Sequence, residues 1–308
     1  MTLSVQKPTN DEKISTTTDT SSTAPPPAGT RQTSLRRRLS GRWGLLPALA
    51  VFTLAVLWAV VPSAFTHYDP IAVDNTIRLL PPSAQHWFGT DLLGRDLYAR
   101  IVYGARASLL GASTAVAIAA VLGSALGATA GWFGGRIDAA LMRLIDVVLS
   151  IPGFLFAITI VVLYTAQTGS TGLLPAAIAV GLTSSATFAR LIRSEVLRVR
   201  ESNYVEAAIT SGATTWAILV RHVIPNSLAP TVALIAVQLG IAIIWIASLS
   251  FLGLGAQPPQ PEWGLLVADG RKYIATRGWL TLFPALTIVA VVLSINHISR
   301  HLTERGAS

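Results

Sequence analysis

The stretch GTDLLGRD, residues Gly89 to Asp96, has glycines at a spacing that could form a phosphate-binding loop. A Walker loop ends in a lysine that directly follows a glycine, because this lysine contacts the β- and γ-phosphates of the nucleotide. The chain has three lysines, Lys7, Lys13 and Lys272, and none of them follows a glycine. We therefore exclude a Walker-type nucleotide site in this chain.

Metal binding is the second chemistry that the side-chain types allow. The chain contains no cysteine, which excludes disulfides and thiolate metal sites. The histidines form no ligand cluster in the sequence; they are His67, His86, His222, His297 and His301. We predict a chain with no metal site, no bound cofactor and no catalytic residue.

The composition is that of a membrane protein. Hydrophobic residues make up 52% of the chain, charged residues 12%, and the mean hydropathy is +0.56, whereas a soluble domain carries about 25% charged residues. The net charge of +8 comes mainly from short basic blocks beside apolar stretches. Such blocks are typical of membrane topology signals and not of a nucleic-acid-binding stripe. We predict a polytopic protein surrounded by lipid, with no nucleic-acid partner.

Stretches without charged residues locate the helices that cross the membrane, each of which needs about 20 apolar residues. We predict six such helices, near residues 45–65, 108–132, 139–164, from 173 onward, 228–250 and 278–299. The first is longer than the roughly 7–15 apolar residues of a signal-peptide core, which favours an uncleaved helix. Residues 1–40 are rich in Ser, Thr and Pro and are predicted to form a disordered tail.

The distribution of basic residues predicts the orientation. With the N-terminus inside, 16 of the 23 Lys and Arg residues lie on the inner side of the six helices and seven on the outer side. Cytoplasmic segments carry an excess of Lys and Arg. We therefore predict that both termini, and the segment between the fourth and fifth helices, lie in the cytoplasm.

Small and charged residues in the predicted helices indicate contacts between them. Gly123, Gly127 and Gly131 recur at four-residue spacing, which favours close helix packing. Arg143 and Asp146 are three residues apart, so they share a helix face and can form an ion pair.

Two other features concern the third helix and the outer side of the membrane. The pair Pro152-Gly153 is predicted to bend the third helix. Four charged side chains of the outer segment are interpreted as a salt-bridged helix at the mouth of a pore, in preference to a substrate site. These are Asp91, Arg95, Asp96 and Arg100.

The segment YVEAAITSGATTWAILVRHVIPN, residues Tyr204 to Asn226, separates two long apolar stretches and is here called the elbow. Glu206 stands three residues after Asn203, as in a helix capping box. Gly212 can adopt the left-handed conformation that ends a helix, and Pro225 can begin the next helix without a backbone donor. Small side chains keep the surface low, so another protein could approach the backbone closely. We predict a compact cytoplasmic knob that fits a groove on a partner.

The sequence EAAITSGATTWAILVRHVIP within the elbow resembles the EAA motif of permease subunits of ATP-binding cassette (ABC) importers. In that motif Glu-Ala-Ala is followed at fixed spacing by Gly and later by a Leu-Pro pair. The matching residues are Glu206, Ala207, Ala208, Gly212 and Pro225, with Ile224 in place of the usual Leu. In this family the loop is a coupling helix that docks into the ATP-hydrolysing subunit, and the resemblance implies that role for these six residues.

Two further stretches narrow the resemblance. HWFGTDLLGRDLYARIVYGARASLLGA (86–112) and SLSFLGLGAQPPQPEWG (248–264) look like signatures of dipeptide, oligopeptide and nickel permeases. The resemblance covers roughly residues 40–301. Many relatives carry a glutamate shortly before LSFLGLG, where this chain has Ile246, so the role of that carboxylate is not carried over.

The resemblance implies an all-α membrane protein with six transmembrane helices and the type I ABC importer permease fold. It implies a disordered cytoplasmic tail (1–40), a first transmembrane helix with an extracytoplasmic segment (41–103), and a permease core (104–301) with its coupling loop (200–226). The implied partners are a second homologous permease subunit, two ATPase subunits that bind ATP and Mg, and an extracytoplasmic solute-binding protein. The chain is then no enzyme, and its location is the bacterial cytoplasmic membrane.

The function that follows is translocation of di- or oligopeptides by alternating access. A nickel complex, glutathione or another small solute is the alternative cargo. An ATP-independent secondary transporter is a third hypothesis. Such carriers place ionisable relay residues deep within their helices, often in an internal repeat, and the sequence shows neither an obvious repeat nor a carboxylate in the middle of a span.

Overall fold

The computed structural model describes residues 30–306, with gaps at 203–204, 206–209, 213, 219–220 and 222–223. Side-chain surroundings are described from residue 45 to residue 301, apart from these gaps and residues 215–216 and 224–229. The helices are α1 (Thr30–Val60), α2 (Leu97–Phe133), α3 (Gly135–Ser150), α4 (Gly153–Thr168), α5 (Leu173–Arg200), α6 (Thr215–Ile218), α7 (Ile224–Phe251), α8 (Trp263–Gly270) and α9 (Trp279–Gly306). Short 3-10 helices form at Pro62–Ala64, Asn75–Ile77 and Arg271–Tyr273.

The chain divides into two compact units, residues 1–40 and 41–308. In the first unit the residues from Thr30 onward are helical, so the end of the predicted tail belongs to α1. Four Arg and two Leu, both good helix formers, stand among residues 30–40. The rest of the predicted tail, residues 1–29, lies outside the described residues.

Within the described residues, four helices are long and apolar enough to cross a membrane: α2, α5, the part of α7 from Pro230, and α9 up to His301. α3 and α4 meet this criterion together, as a span broken by a 93° bend, and the apolar part of α1, Leu45–Val60, is shorter. The predicted all-α membrane architecture is confirmed for the part of the chain that the structure describes. The count of six spans is compatible with these helices and stays a prediction.

The bend between α3 and α4 lies at the predicted position. α3 ends at Ser150, and Pro152 precedes the first residue of α4. Ile151 has an extended backbone, with φ −89° and ψ 134°, because the ring of a following proline disfavours the helical conformation. The third predicted span therefore consists of two helices.

The contact between α2 and α5 confirms the close packing predicted from the glycine spacing. A Cβ atom on Gly127 would lie 2.3 Å from the carbonyl oxygen of Ala189, and one on Gly123 would lie 2.4 Å from that of Ser185. On Gly131, the Cβ would lie 2.9 Å from the Cβ of Val196. These distances leave no room for a side chain, so the backbones of the two helices approach each other only because glycine is present.

The main apolar core lies among α2, α5, α7 and α9, with residues from α1, α4 and α8 packed against it. Ile246 of α7 is part of this core and is 1% exposed. Its surroundings are apolar, so the isoleucine is matched to its environment.

Candidate coupling site and its supporting ion pairs

The structure describes three of the six predicted coupling residues. Gly212 is exposed and has φ +82°, which is the predicted left-handed conformation. α7 begins at Ile224, with Pro225 in its first turn, where a missing N–H leaves no helical hydrogen bond unmade. The other three lie outside the described residues: Glu206, Ala207 and Ala208.

Two apolar side chains of the elbow are buried against the end of α5. Val205 is fully buried and Ile218 is 1% exposed, and both belong to a cluster with residues of α5. The α5 residues are Ile192, Val196 and Val199, and Ala128 and Trp132 of α2 pack against the same cluster. We call this group the elbow cluster. It packs the elbow directly on α5 and α2.

Hydrogen bonds from backbone N–H groups fix the described parts of the elbow near Val205 and near Ile218. The Val205 N–H donates to the carbonyl of Ser202 over 3.0 Å, directly after the end of α5. Thr214 precedes α6, and its hydroxyl oxygen accepts from the N–H of Ala217 over 3.3 Å. The carbonyl of Thr214 accepts from the Ile218 N–H. Thr214 thus acts as an N-cap, which satisfies a donor that would otherwise be unpaired at the start of the helix.

Ion pairs join α5 to α3 near the elbow cluster. Arg193 binds Asp138 with two hydrogen bonds of 2.5 Å, from Nε and Nη2 to the two carboxylate oxygens. This bidentate geometry is the stronger form of an arginine–carboxylate pair. Arg190 donates from Nη2 to Asp146 Oδ1 over 2.6 Å.

The predicted pair between Arg143 and Asp146 is wrong, because Asp146 bonds Arg190 of the neighbouring helix instead. α3 packs on α5 through Ile145, which contacts Ala186 and Ala189. This packing brings an arginine of α5 within reach of Asp146. Both members of the pair are more than half exposed, and exposed pairs contribute about 0–1 kcal/mol. The pair therefore adds little to the stability of the fold.

The end of the bundle opposite the elbow carries the charged group that begins at Asp91, and its predicted ion pairing is confirmed. Arg95 Nε lies 2.7 Å from Asp91 Oδ2, and Arg100 Nε lies 3.5 Å from the same oxygen. The predicted single helix is wrong for Asp91 and Arg95, which precede α2. Asp96 caps α2 by accepting from the Ala99 N–H over 2.7 Å, and a cap residue marks where a helix begins.

Arg100 holds several loops on the first turns of α2. Its side chain is 1% exposed; Nη1 donates to the carbonyl of Pro70 over 3.2 Å, and Nη2 lies 3.8 Å from Asp269 Oδ2. Asp96 meets the ring of His86, with 2.8 Å between Oδ2 and Nδ1. Burial raises the pKa of Asp269 above its usual range, and the positive charge of Arg100 opposes this shift.

Glu262 is a buried carboxylate that the sequence analysis did not single out. It is fully buried, accepts from the hydroxyl of Ser108 over 2.9 Å, and caps α8 by accepting from the Leu265 N–H. Trp263 follows and donates from its indole Nε1 to the carbonyl of Ile101. The position of Glu262 directly before an apolar helix is the signal that could have identified it. Glu262 and Trp263 bind α8 to α2.

Residues 123–306 match the model of the family described as binding-protein-dependent transport system inner membrane component. The chain belongs to this family. It is a permease subunit and a multi-pass protein of the inner membrane. As in the rest of the family, ATP is hydrolysed by a separate ATPase subunit, and a solute-binding protein is a further component.

Curated relatives share this assignment over most of their length. The chain is 40% identical to the probable D,D-dipeptide transport system permease protein DdpC of Escherichia coli K12, over 81% of this chain and 82% of the relative. It is also 40% identical to the dipeptide transport system permease protein DppC of Alkalihalophilus pseudofirmus, over 83% of each.

A solved structure supports the fold. The inward-facing MetNI methionine ABC transporter matches with a TM-score of 0.55 and 18% identity, covering 68% of this chain and 97% of that chain. At this identity the match concerns the fold alone.

Proposed function

We propose that this permease subunit imports di- or oligopeptides and that its elbow transmits the motion of an ATPase subunit to the transport pathway. The observation that carries the proposal is the elbow cluster, in which buried Val205 and Ile218 pack on α5. The turn at Gly212 is exposed, and a Cβ atom on Gly212 would meet no atom within 4 Å. The elbow thus has a fixed inner side and an open outer side, as a docking element needs. The names of the relatives described for dipeptide transport support the peptide cargo.

The proposed assembly has two permease subunits, this chain and a homologue, with two ATPase subunits on the cytoplasmic side. A solute-binding protein docks on the opposite face. Both termini and the elbow are then cytoplasmic, which the excess of Lys and Arg on that side supports. Glu206, Ala207 and Ala208 are proposed to contact the ATPase together with Gly212, Ile224 and Pro225.

The proposed mechanism is alternating access. ATP binding closes the paired ATPase subunits, and the groove that holds the elbow moves with them. The elbow cluster then displaces the end of α5, and the bidentate pair Arg193–Asp138, together with the packing of Ile145 on α5, carries α3 with it. ATP can shift the permease between two states only if the elbow binds the ATPase differently in each of them.

A second cargo class has support of its own. The nickel transport system permease protein NikC of Escherichia coli K12 is 34% identical to this chain, and the glutathione transport system permease protein GsiD of Pectobacterium atrosepticum is 40% identical. A nickel complex or glutathione is therefore the alternative to a peptide. Membership of the permease family argues against an ATP-independent carrier.

Reconstitution tests the proposal. The tagged chain is solubilised and purified, and we expect a subunit with a Walker lysine to copurify. Vesicles that contain the whole assembly and the binding protein should accumulate a labelled dipeptide only when ATP is present on the side of the membrane that the ATPase subunits face. The control is the same assembly with the Walker lysine of the ATPase replaced by alanine. Accumulation against a gradient by this chain without an ATPase would refute the coupling role.

A further inference from the structure

An open cavity of about 860 Å³ lies at the end of the bundle opposite the elbow. The residues that follow α1 (67–71), the early turns of α2, and the residues that precede α8 (256–261) form its walls, with Leu173 at the start of α5. Ligand sites in proteins typically measure about 300–1,000 Å³. The cavity is therefore large enough for a small peptide.

The cavity contains a residue of each charge, Arg106 and Asp69. Both are exposed, and neither takes part in an ion pair among the residues that the structure describes. Asp69 Oδ1 accepts from the Ile71 N–H over 2.8 Å, so its second oxygen is available. By contrast, Asp91 and Arg95 nearby are buried and paired with each other. The charges of the cavity are available to a ligand, whereas those beside it are already neutralised.

The wall that carries Asp69 is held in place by the buried network. Arg100 binds the carbonyl of Pro70, the next residue along the chain. The hydroxyl of Tyr68 donates to the carbonyl of Gln85 over 3.1 Å, and its ring lies 5.0 Å from that of His86. A site whose walls are fixed before the ligand arrives loses less conformational entropy on binding.

The other lining residues come from α2 and from the segment before α8. Arg106 lies on α2, three residues after Tyr103 and four before Leu110, and all three line the cavity. Gln257 donates from Nε2 to the carbonyls of Gly253 and Gly255, each over 3.1 Å. The lining of the cavity thus combines aromatic and aliphatic surface with one guanidinium and one carboxylate.

We propose that this cavity is an outer binding site for a zwitterionic peptide. The Arg106 guanidinium binds the α-carboxylate, since its planar fork matches a carboxylate with two hydrogen bonds. Asp69 binds the α-ammonium, and Tyr68 and Tyr103 contact the backbone and side chains between the two termini. The inference rests on the proposed peptide import and adds the groups on this chain that receive the cargo.

Equilibrium binding tests the site without the solute-binding protein, which has its own specificity. The purified assembly in nanodiscs is titrated with a labelled dipeptide, its C-terminal amide and its N-acetyl derivative. We expect Arg106→Gln to weaken binding of the free dipeptide by roughly tenfold, in line with the loss of one charge-assisted pair. We expect the same variant to bind the amide and the free acid equally. Asp69→Asn should likewise remove the preference for a free amino group.

Lys272→Gln is the matched control, because Lys272 is an exposed base outside the cavity; it should leave all three affinities unchanged. Absence of dipeptide binding, or equal discrimination between acid and amide in wild type and Arg106→Gln, would overturn the inference. ATP-driven dipeptide uptake is measured on the same wild-type preparation. If uptake persists while either of these binding results is found, the proposed function stands and only the proposed binding site is refuted.

A second measurement distinguishes docking of the solute-binding protein from binding of the peptide in the cavity. The concentration of liganded binding protein that gives half-maximal ATPase stimulation should be the same in wild type and Arg106→Gln. A shift in that concentration, with unchanged dipeptide affinity, would make the cavity a contact for the binding protein and would overturn the proposed site.

Discussion

Replacement of Ile218 by alanine should loosen the elbow without changing the surface that we propose to meet the ATPase. Ile218 is 1% exposed and packs in the elbow cluster with Val205 and three residues of α5. The variant removes the buried part of the side chain and leaves the exposed turn at Gly212 unchanged. We expect ATP hydrolysis to continue while less solute is imported for each ATP.

The expected magnitude follows from the burial. An Ile→Ala change in a packed core costs about 2–5 kcal/mol, depending on how far the site collapses around the cavity. The elbow cluster is small and has exposed neighbours, so we expect about 3 kcal/mol for the packing of the elbow on α5. Each 1.4 kcal/mol is a factor of about ten in an equilibrium constant. The detached form of the elbow should therefore become roughly 100-fold more populated.

The assay is the ratio of solute imported to ATP hydrolysed in vesicles that contain the whole assembly. Ile295→Ala is the control, because Ile295 lies in the main core and is 3% exposed, so it loses the same atoms away from the elbow. The control should lower the melting temperature and keep the transport ratio. A wild-type ratio in Ile218→Ala, with the assembly intact, would refute the role of the elbow cluster.

Three further predictions concern packing, pH and coupling. Gly127→Ala should lower the melting temperature of the solubilised protein by the equivalent of about 1–3 kcal/mol of overpacking, because the new Cβ would lie 2.3 Å from a backbone oxygen of α5. The control is Gly240→Ala, whose nearest contact would be 3.5 Å and which should be neutral or stabilise by up to about 1 kcal/mol. Equal effects of the two changes would contradict the packing argument. The pKa of Asp269 is raised in the folded state, so the folded protein binds this proton more tightly than the unfolded chain does, and its stability should fall as pH rises from about 3.9 through the raised value. Asp269→Asn should remove this part of the fall in melting temperature. Parallel curves of melting temperature against pH for wild type and variant would count against this prediction. Glu206→Lys should abolish uptake at normal membrane content, as judged by transport and immunoblot, and normal transport would argue against coupling through this residue.

The helices could be predicted from the sequence because lipid imposes a simple constraint. A span must be apolar over its whole length and must satisfy its own backbone groups, so the stretches that became α2, α5, α7 and α9 are visible as gaps between charges. The bend after Ser150 could also be predicted, since proline lacks the backbone donor that a continuous helix needs. These are local properties of the chain.

The partners of the charged side chains could not be predicted in the same way. The spacing of Arg143 and Asp146 allowed a pair within α3, but Asp146 bonds Arg190 on a helix that follows much later in the sequence. Glu262 likewise bonds Ser108 across the fold. Sequence spacing determines which groups share a face of one helix, whereas the position of the neighbouring helix determines which of them meet.

The sequence by itself determined that this protein is a helical membrane permease with a conspicuous elbow, because span length, glycine spacing and the EAA motif are read along the chain. Only the tertiary structure decided that Val205 and Ile218 bury the elbow against α5, and that Asp69 and Arg106 line one cavity without an ion-pair partner among the residues that the structure describes. Ile218 and Ala128 of the elbow cluster, and Asp69 and Arg106 of the cavity, are far apart in the chain. Their contacts depend on how α2, α5 and the connecting loops pack, and no local pattern encodes that packing.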